Sequence, residues 1–93
     1  MAEPWLYEKL TWPELNEAIE AQKVVVVPVG SIEQHGPHLP LDVDVVCPTG
    51  IAHAAAAQIP ENVLVMPPLI HGYTAHVMDF PGTINIHWEY RYN

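Results

Sequence analysis

The chain has 93 residues, 49% of them apolar, which is enough to build a core and excludes a disordered composition. Eleven acidic residues against three basic ones give a formal net charge of -8, which argues against nucleic acid and anionic membranes, since both need clustered Lys and Arg. Cys47 is the single cysteine, so a disulfide-stapled domain is excluded. The absence of a signal-peptide pattern after Met1, and of any apolar run near the ~20 residues of a membrane helix, sets a cytoplasmic expectation.

Taken in chain order, Thr11-Trp12-Pro13-Glu14 predicts a helix start. Thr11 is the N-cap, Pro13 falls in the first turn where its missing N–H costs nothing, and Glu14 completes a capping box. Leu15, Ala18 and Ile19 then recur at helical spacing. The run Val24-Val25-Val26-Val27-Pro28-Val29, closed by Gly30, predicts a strand buried on both faces, as in parallel sheets, with pairing that ends near Val27 because Pro28 cannot donate. Residues 30–44 are rich in Gly, Pro, His and acids and predict a long loop. Residues 45–59 predict a helix that tolerates Pro48 only in its first turn and stops at Pro60. Val63-Leu64-Val65-Met66 predicts a second buried strand. Residues 69–82 are irregular, residues 83–86 suggest a short strand, and His87 to Asn93 suggest the opening of a helix. Helix and strand in alternation favour an α/β layer architecture around a parallel sheet.

The chemistry concentrates in Gly30-Ser31-Ile32-Glu33-Gln34-His35-Gly36-Pro37-His38-Leu39-Pro40-Leu41-Asp42-Val43-Asp44, which follows the first strand. In open α/β sheets, ligands gather beyond the carboxyl ends of strands. Glu33 and His35 are two apart, so in extended backbone their side chains share a side. Asp44 precedes the predicted helix, where it either caps the helix or turns toward a metal. Imidazole with carboxylate suits Zn²⁺ or Mn²⁺. A pair of such ions, about 3.5–4 Å apart, can hold a hydroxide and polarise a carbonyl. The ordinary alternative is a solvated loop with Asp44 as a plain cap, and composition alone does not choose between them.

Lys9-Leu10-Thr11-Trp12, Val27-Pro28-Val29-Gly30-Ser31-Ile32-Glu33-Gln34-His35-Gly36-Pro37-His38-Leu39-Pro40 and Val43-Asp44, followed by Phe80-Pro81-Gly82-Thr83, resemble the opening of the creatininase (creatinine amidohydrolase) family in consistent order. The resemblance implies an α/β fold, a three-layer α/β/α sandwich with a mostly parallel sheet, of which residues 1–93 form the N-terminal part of a single domain. It implies Glu33 as a ligand of one metal, His35 as a ligand of the other, and Asp44 as the bridge between them. The ions implied are two divalent metals, Zn²⁺ first, with Mn²⁺ or Fe²⁺ as alternatives. The implied reaction is hydrolysis of an amide C–N bond, expected to be cyclic, through a dinuclear metal-bound hydroxide. A lactone hydrolase on the same scaffold, or a non-catalytic subunit that folds against a partner, are the other readings.

Members of that family are about two and a half times this length, an ordinary size for one α/β domain. Their remaining His and Glu ligands have no counterpart here. The expectation is therefore a second polypeptide that completes the domain, from a split gene or a cleaved precursor, with a shortened chain as the other explanation. A small-molecule substrate and assembly into a higher oligomer are also expected.

His38 and His76 are candidates for substrate contact or proton transfer, since imidazole titrates near working pH. His53 is expected to be packed or on the surface, and His71 and His87 carry no supporting pattern. Trp5, Trp12 and Trp88 are expected as core or interface anchors, and Cys47 as a small buried residue. Ser31 lacks a nucleophile-elbow setting, which argues against serine hydrolysis.

Overall fold

The computed structural model describes residues 3–86. A short 3₁₀ turn, Tyr7–Lys9, leads into α1 (Trp12–Glu20), β1 (Val24–Val26), α2 (Val43–Gln58), β2 (Val63–Val65) and a second 3₁₀ turn, Ala75–Val77. This is the α/β alternation that the sequence predicts. The helix suggested from His87 onward lies outside the described residues.

Helix α1 begins as expected. The Thr11 hydroxyl accepts from the Glu14 amide, and the Glu14 carboxylate accepts from the Thr11 amide at 2.8 Å, so two orphan donors of the first turn are satisfied reciprocally. The helix ends in a Schellman arrangement, in which the Lys23 amide donates to the Ala18 carbonyl and the Gln22 amide to that of Ile19. Gln22 takes the left-handed position usually held by glycine, with φ 56°. That turn redirects the chain into β1.

The two strands pair in parallel, with Val24 opposite Val63, Val25 opposite Leu64 and Val26 opposite Val65. Parallel neighbours need a crossover, and α2 supplies it. Ala52 and Ala56 of α2 pack on Val63 and Val65, with Trp5 and Val26 against the same cluster. Alanine at both helix positions brings the helix axis close to the sheet. The far edge of β2 is taken by the N-terminal segment, where the Val65 amide donates to the Trp5 carbonyl at 2.7 Å. The indole N–H of Trp5 donates to Nδ1 of His53 on α2 at 2.6 Å, which ties that segment to the helix and places His53 as a packing residue.

Several local expectations are corrected. β2 is buried at all three positions, but β1 is not: Val24 and Val25 are 61% and 45% exposed, because among the described residues no second layer covers them. Helix α2 starts at Val43, not at residue 45, with Asp42 as an N-cap whose side chain makes no capping bond. Pro48 therefore stands at the sixth helical position, inside the helix and not in its first turn. Residues 83–86 form no strand, only an isolated bridge between Gly72 and Asn85. Cys47 is exposed, and Trp12 is 76% exposed, so neither contributes to the core of the described residues.

Candidate metal centre

Beyond β1 the parallel ladder continues as single contacts. The Leu69 amide donates to the Pro28 carbonyl and the Gly30 amide to the Leu69 carbonyl, at 2.9 and 2.8 Å. These bonds carry the chain to the mouth of the sheet, at the carboxyl ends of both strands. Residues 31–35 then run without regular secondary structure, but their backbone is fixed at three points. The Ile84 amide donates to the Ile32 carbonyl, the Glu33 amide donates to the Leu41 carbonyl, and the Gln34 amide donates to the Thr83 hydroxyl at 3.1 Å. Gly36, at φ 85°, makes the turn that follows, and its amide donates to the Gln34 side chain.

This clamped run presents Glu33 and His35, two residues apart, to the first turn of α2. One ligand atom from each of Glu33, His35 and Asp44 lies within 4.8 Å of the others. Asp44 is in the first turn of α2, where the helix dipole favours a carboxylate. It is not the helix cap, so its carboxylate does not close the helix end. Nε2 of His35 stands 3.4 Å from Oδ1 of Asp44. That nitrogen is buried and has no hydrogen-bond partner.

An imidazole nitrogen withdrawn from water and left unpaired is costly unless something else meets it. Two carboxylates converging on the same point supply the oxygen donors that a borderline divalent ion takes alongside imidazole. The residues present therefore fit a metal. The site remains open on one side, with the side chains of His35 and Asp44 25% and 41% exposed. No other group of three or more potential ligands converges among the described residues.

Ser31 has no nucleophile-elbow setting, and its position shows another use. Its hydroxyl donates to Oε1 of Glu33 at 2.5 Å, which fixes the carboxylate. The i, i+2 relation that pairs Glu33 with His35 holds equally between Ser31 and Glu33, so the same spacing carries this contact. Thr83, the last residue of the Phe80-Pro81-Gly82-Thr83 landmark, has a structural task of its own. It is buried, and it holds the ligand run from behind. His38 and His76 are both exposed and stand outside the three-residue group. His76 sits on the second 3₁₀ turn, which Thr74 anchors: its hydroxyl donates to the Ile84 carbonyl and its amide donates to the side-chain Oδ1 of Asn85, at 2.6 and 2.7 Å.

The sequence model of the creatininase family, described as creatinine amidohydrolase, matches residues 8–92. The chain belongs to the creatininase family. It is 45% identical over 71 residues to the mycofactocin precursor peptide peptidase of Mycolicibacterium smegmatis, covering 68% of this chain and 27% of that protein. It is 38% identical over 84 residues to the creatinine amidohydrolase of Pseudomonas putida, covering 84% of this chain and 32% of that one. Among solved structures, a mutant creatininase described as the Zn–Zn type superposes with a TM-score of 0.79 at 35% identity, covering 91% of this chain and 34% of its own. A creatininase described with Mn gives 0.80 at 36% identity, covering 89% and 34%. The creatininase fold is therefore shared over nearly all of this chain, and the chain spans about a third of the length of these relatives.

Proposed function

We propose that this creatininase-family chain contributes to a metal-dependent hydrolase of amide C–N bonds, with Glu33, His35 and Asp44 as its share of the metal ligands. The observation that carries this reading is the buried, unpaired Nε2 of His35 facing the Asp44 carboxylate, with Glu33 alongside. Two divalent ions are proposed, Zn²⁺ first and Mn²⁺ or Fe²⁺ after it, in keeping with the Zn–Zn and Mn forms of the related structures. Divalent ions bound there would supply Lewis acidity toward a carbonyl oxygen and acidify a water.

The chain's own residues have distinct tasks in this reading. Glu33, His35 and Asp44 would hold the ions, with Asp44 proposed to serve both. Ser31 holds the Glu33 carboxylate in orientation, and the Thr83 clamp keeps Glu33 and His35 on one side of the backbone. His38 and His76 are proposed to meet the substrate or move a proton at its leaving nitrogen. Three donors cannot complete two coordination shells, so further His and carboxylate ligands are proposed to come from a second polypeptide or from further residues of the same fold. Assembly into a higher oligomer belongs to the same proposal.

The substrate class proposed is a cyclic amide, in line with the likeness to the creatinine amidohydrolase. A linear peptide is the second reading, and the 45% identity to a peptidase favours it. The same ions would serve either carbonyl. The test is metal analysis and turnover of the intact assembly with and without Asp44→Ala. Loss of both metal and activity is expected, and a metal-loaded, active Asp44→Ala protein would refute the assignment.

A further inference from the structure

The position of Asp44 depends on a contact made by its backbone. A Cβ placed on Gly30 would overlap the carbonyl oxygen of Asp44 and lie 2.6 Å from its carbonyl carbon and 3.1 Å from the Val45 nitrogen. The strand exit at Gly30 and the first turn of α2 are thus in direct backbone contact, and only a residue without a side chain fits between them. Four residues after Asp44 stands Pro48, inside the helix. In a regular helix the amide of residue 48 would donate to the carbonyl of residue 44. Proline has no amide hydrogen, and its ring crowds that same carbonyl and tilts it off the helix axis.

These two facts meet on one group. We propose that Gly30 and Pro48 together form a positioning device for Asp44: Pro48 releases the Asp44 carbonyl from the helix, and Gly30 receives it. The first turn of α2 is thereby drawn against the end of the ligand strand, and the Asp44 carboxylate is carried to within reach of His35. Neither residue touches a metal. A proline at an interior helix position weakens the helix, and here that weakness is tied to the residue through which the helix reaches the site. This inference rests on the metal-binding reading above and adds to it the means by which one ligand is placed.

The two halves of the device predict opposite effects on stability and the same effect on metal. In the intact assembly, Pro48→Ala restores the helical bond to the Asp44 carbonyl. It is expected to raise the melting midpoint of the metal-free protein while weakening Zn²⁺ binding roughly tenfold or more, the range seen when the supports of metal ligands are removed. Gly30→Ala is expected to weaken Zn²⁺ binding at least as much and to lower the metal-free midpoint. Zn²⁺ affinity is read by competition with a chromophoric chelator, and the midpoint by calorimetry. Unchanged Zn²⁺ affinity in Pro48→Ala would overturn the device, as would a fall of midpoint and affinity together, which is what a merely structural proline would give. If the unsubstituted assembly and Asp44→Ala bind Zn²⁺ equally poorly, the metal-binding reading itself fails, an outcome distinct from either of these.

Discussion

The backbone amide of Gln34 donates to the hydroxyl of Thr83 at 3.1 Å, joining positions 49 residues apart. Gln34 lies between the two ligand candidates of the loop, so this bond, with those at Ile32 and Glu33, fixes the register of both. The Gly82 φ of 91° and the burial of Thr83 show that the second loop is shaped to deliver that hydroxyl.

Thr83→Val keeps the shape of the side chain and removes the acceptor, leaving the Gln34 amide unpaired. A loss of about 1 kcal/mol in stability is expected, the net worth of one hydrogen bond at a half-buried donor. Metal affinity is expected to fall in parallel, since Glu33 and His35 lose their common anchor. Denaturant unfolding and a metal titration of the intact assembly would check both.

Ser31→Ala removes the hydroxyl that holds the Glu33 carboxylate. The side chain is small and the fold should be unaffected, with a change in stability within about 1 kcal/mol. The expected loss is in metal affinity, about 10–100-fold, as for other residues that orient a ligand. Equal affinity in the Ser31→Ala protein would show that the hydroxyl contributes nothing to the site.

Glu14 gives a pH dependence whose sign can be worked out. Bonds from the Thr11 amide, and secondarily from the Thr11 hydroxyl, hold its carboxyl below the ordinary glutamate value. A carboxyl whose folded value is depressed contributes stability above its unfolded value, and that contribution is lost as pH falls through the folded one. The native protein is therefore expected to exceed Glu14→Gln in stability at neutral pH, with the two converging in acid. Parallel urea titrations across that range would reveal a difference independent of pH, if the capping carboxylate played no part.

Gln22→Gly should stabilise the chain. The native residue sits in left-handed backbone at φ 56°, exposed, in the turn from α1 to β1. Relief of the side-chain crowding is expected to contribute about 1 kcal/mol, less the entropy glycine loses on folding. A raised melting midpoint, with the metal content unchanged, is the expected result.

How far these features were legible in the sequence differs by the range of the interaction behind them. The capping box of Thr11 and Glu14 is local, and four residues specified it completely. The parallel pairing of β1 with β2 followed from two apolar runs separated by a helical one. The convergence of Glu33 with His35 followed from backbone alternation, and that of Asp44 from resemblance to a family whose motif it matched. What escaped was set at long range. The first turn of α2, which starts at Val43, lies in backbone contact with Gly30, and Pro48 stands inside the helix; neither the contact nor the helix start is encoded by neighbouring residues alone. The bareness of β1 is likewise no property of its valines, which are as apolar as a fully covered strand requires.

Those valines have a practical consequence. Val24, Val25, Val27 and Val29 lie on or beside a strand whose outer edge pairs with nothing among the described residues. An uncovered apolar edge of this kind offers its amides and carbonyls to any extended segment that arrives first. Purification of the 93-residue polypeptide by itself is therefore expected to be accompanied by self-association through this edge, which grows with concentration and temperature.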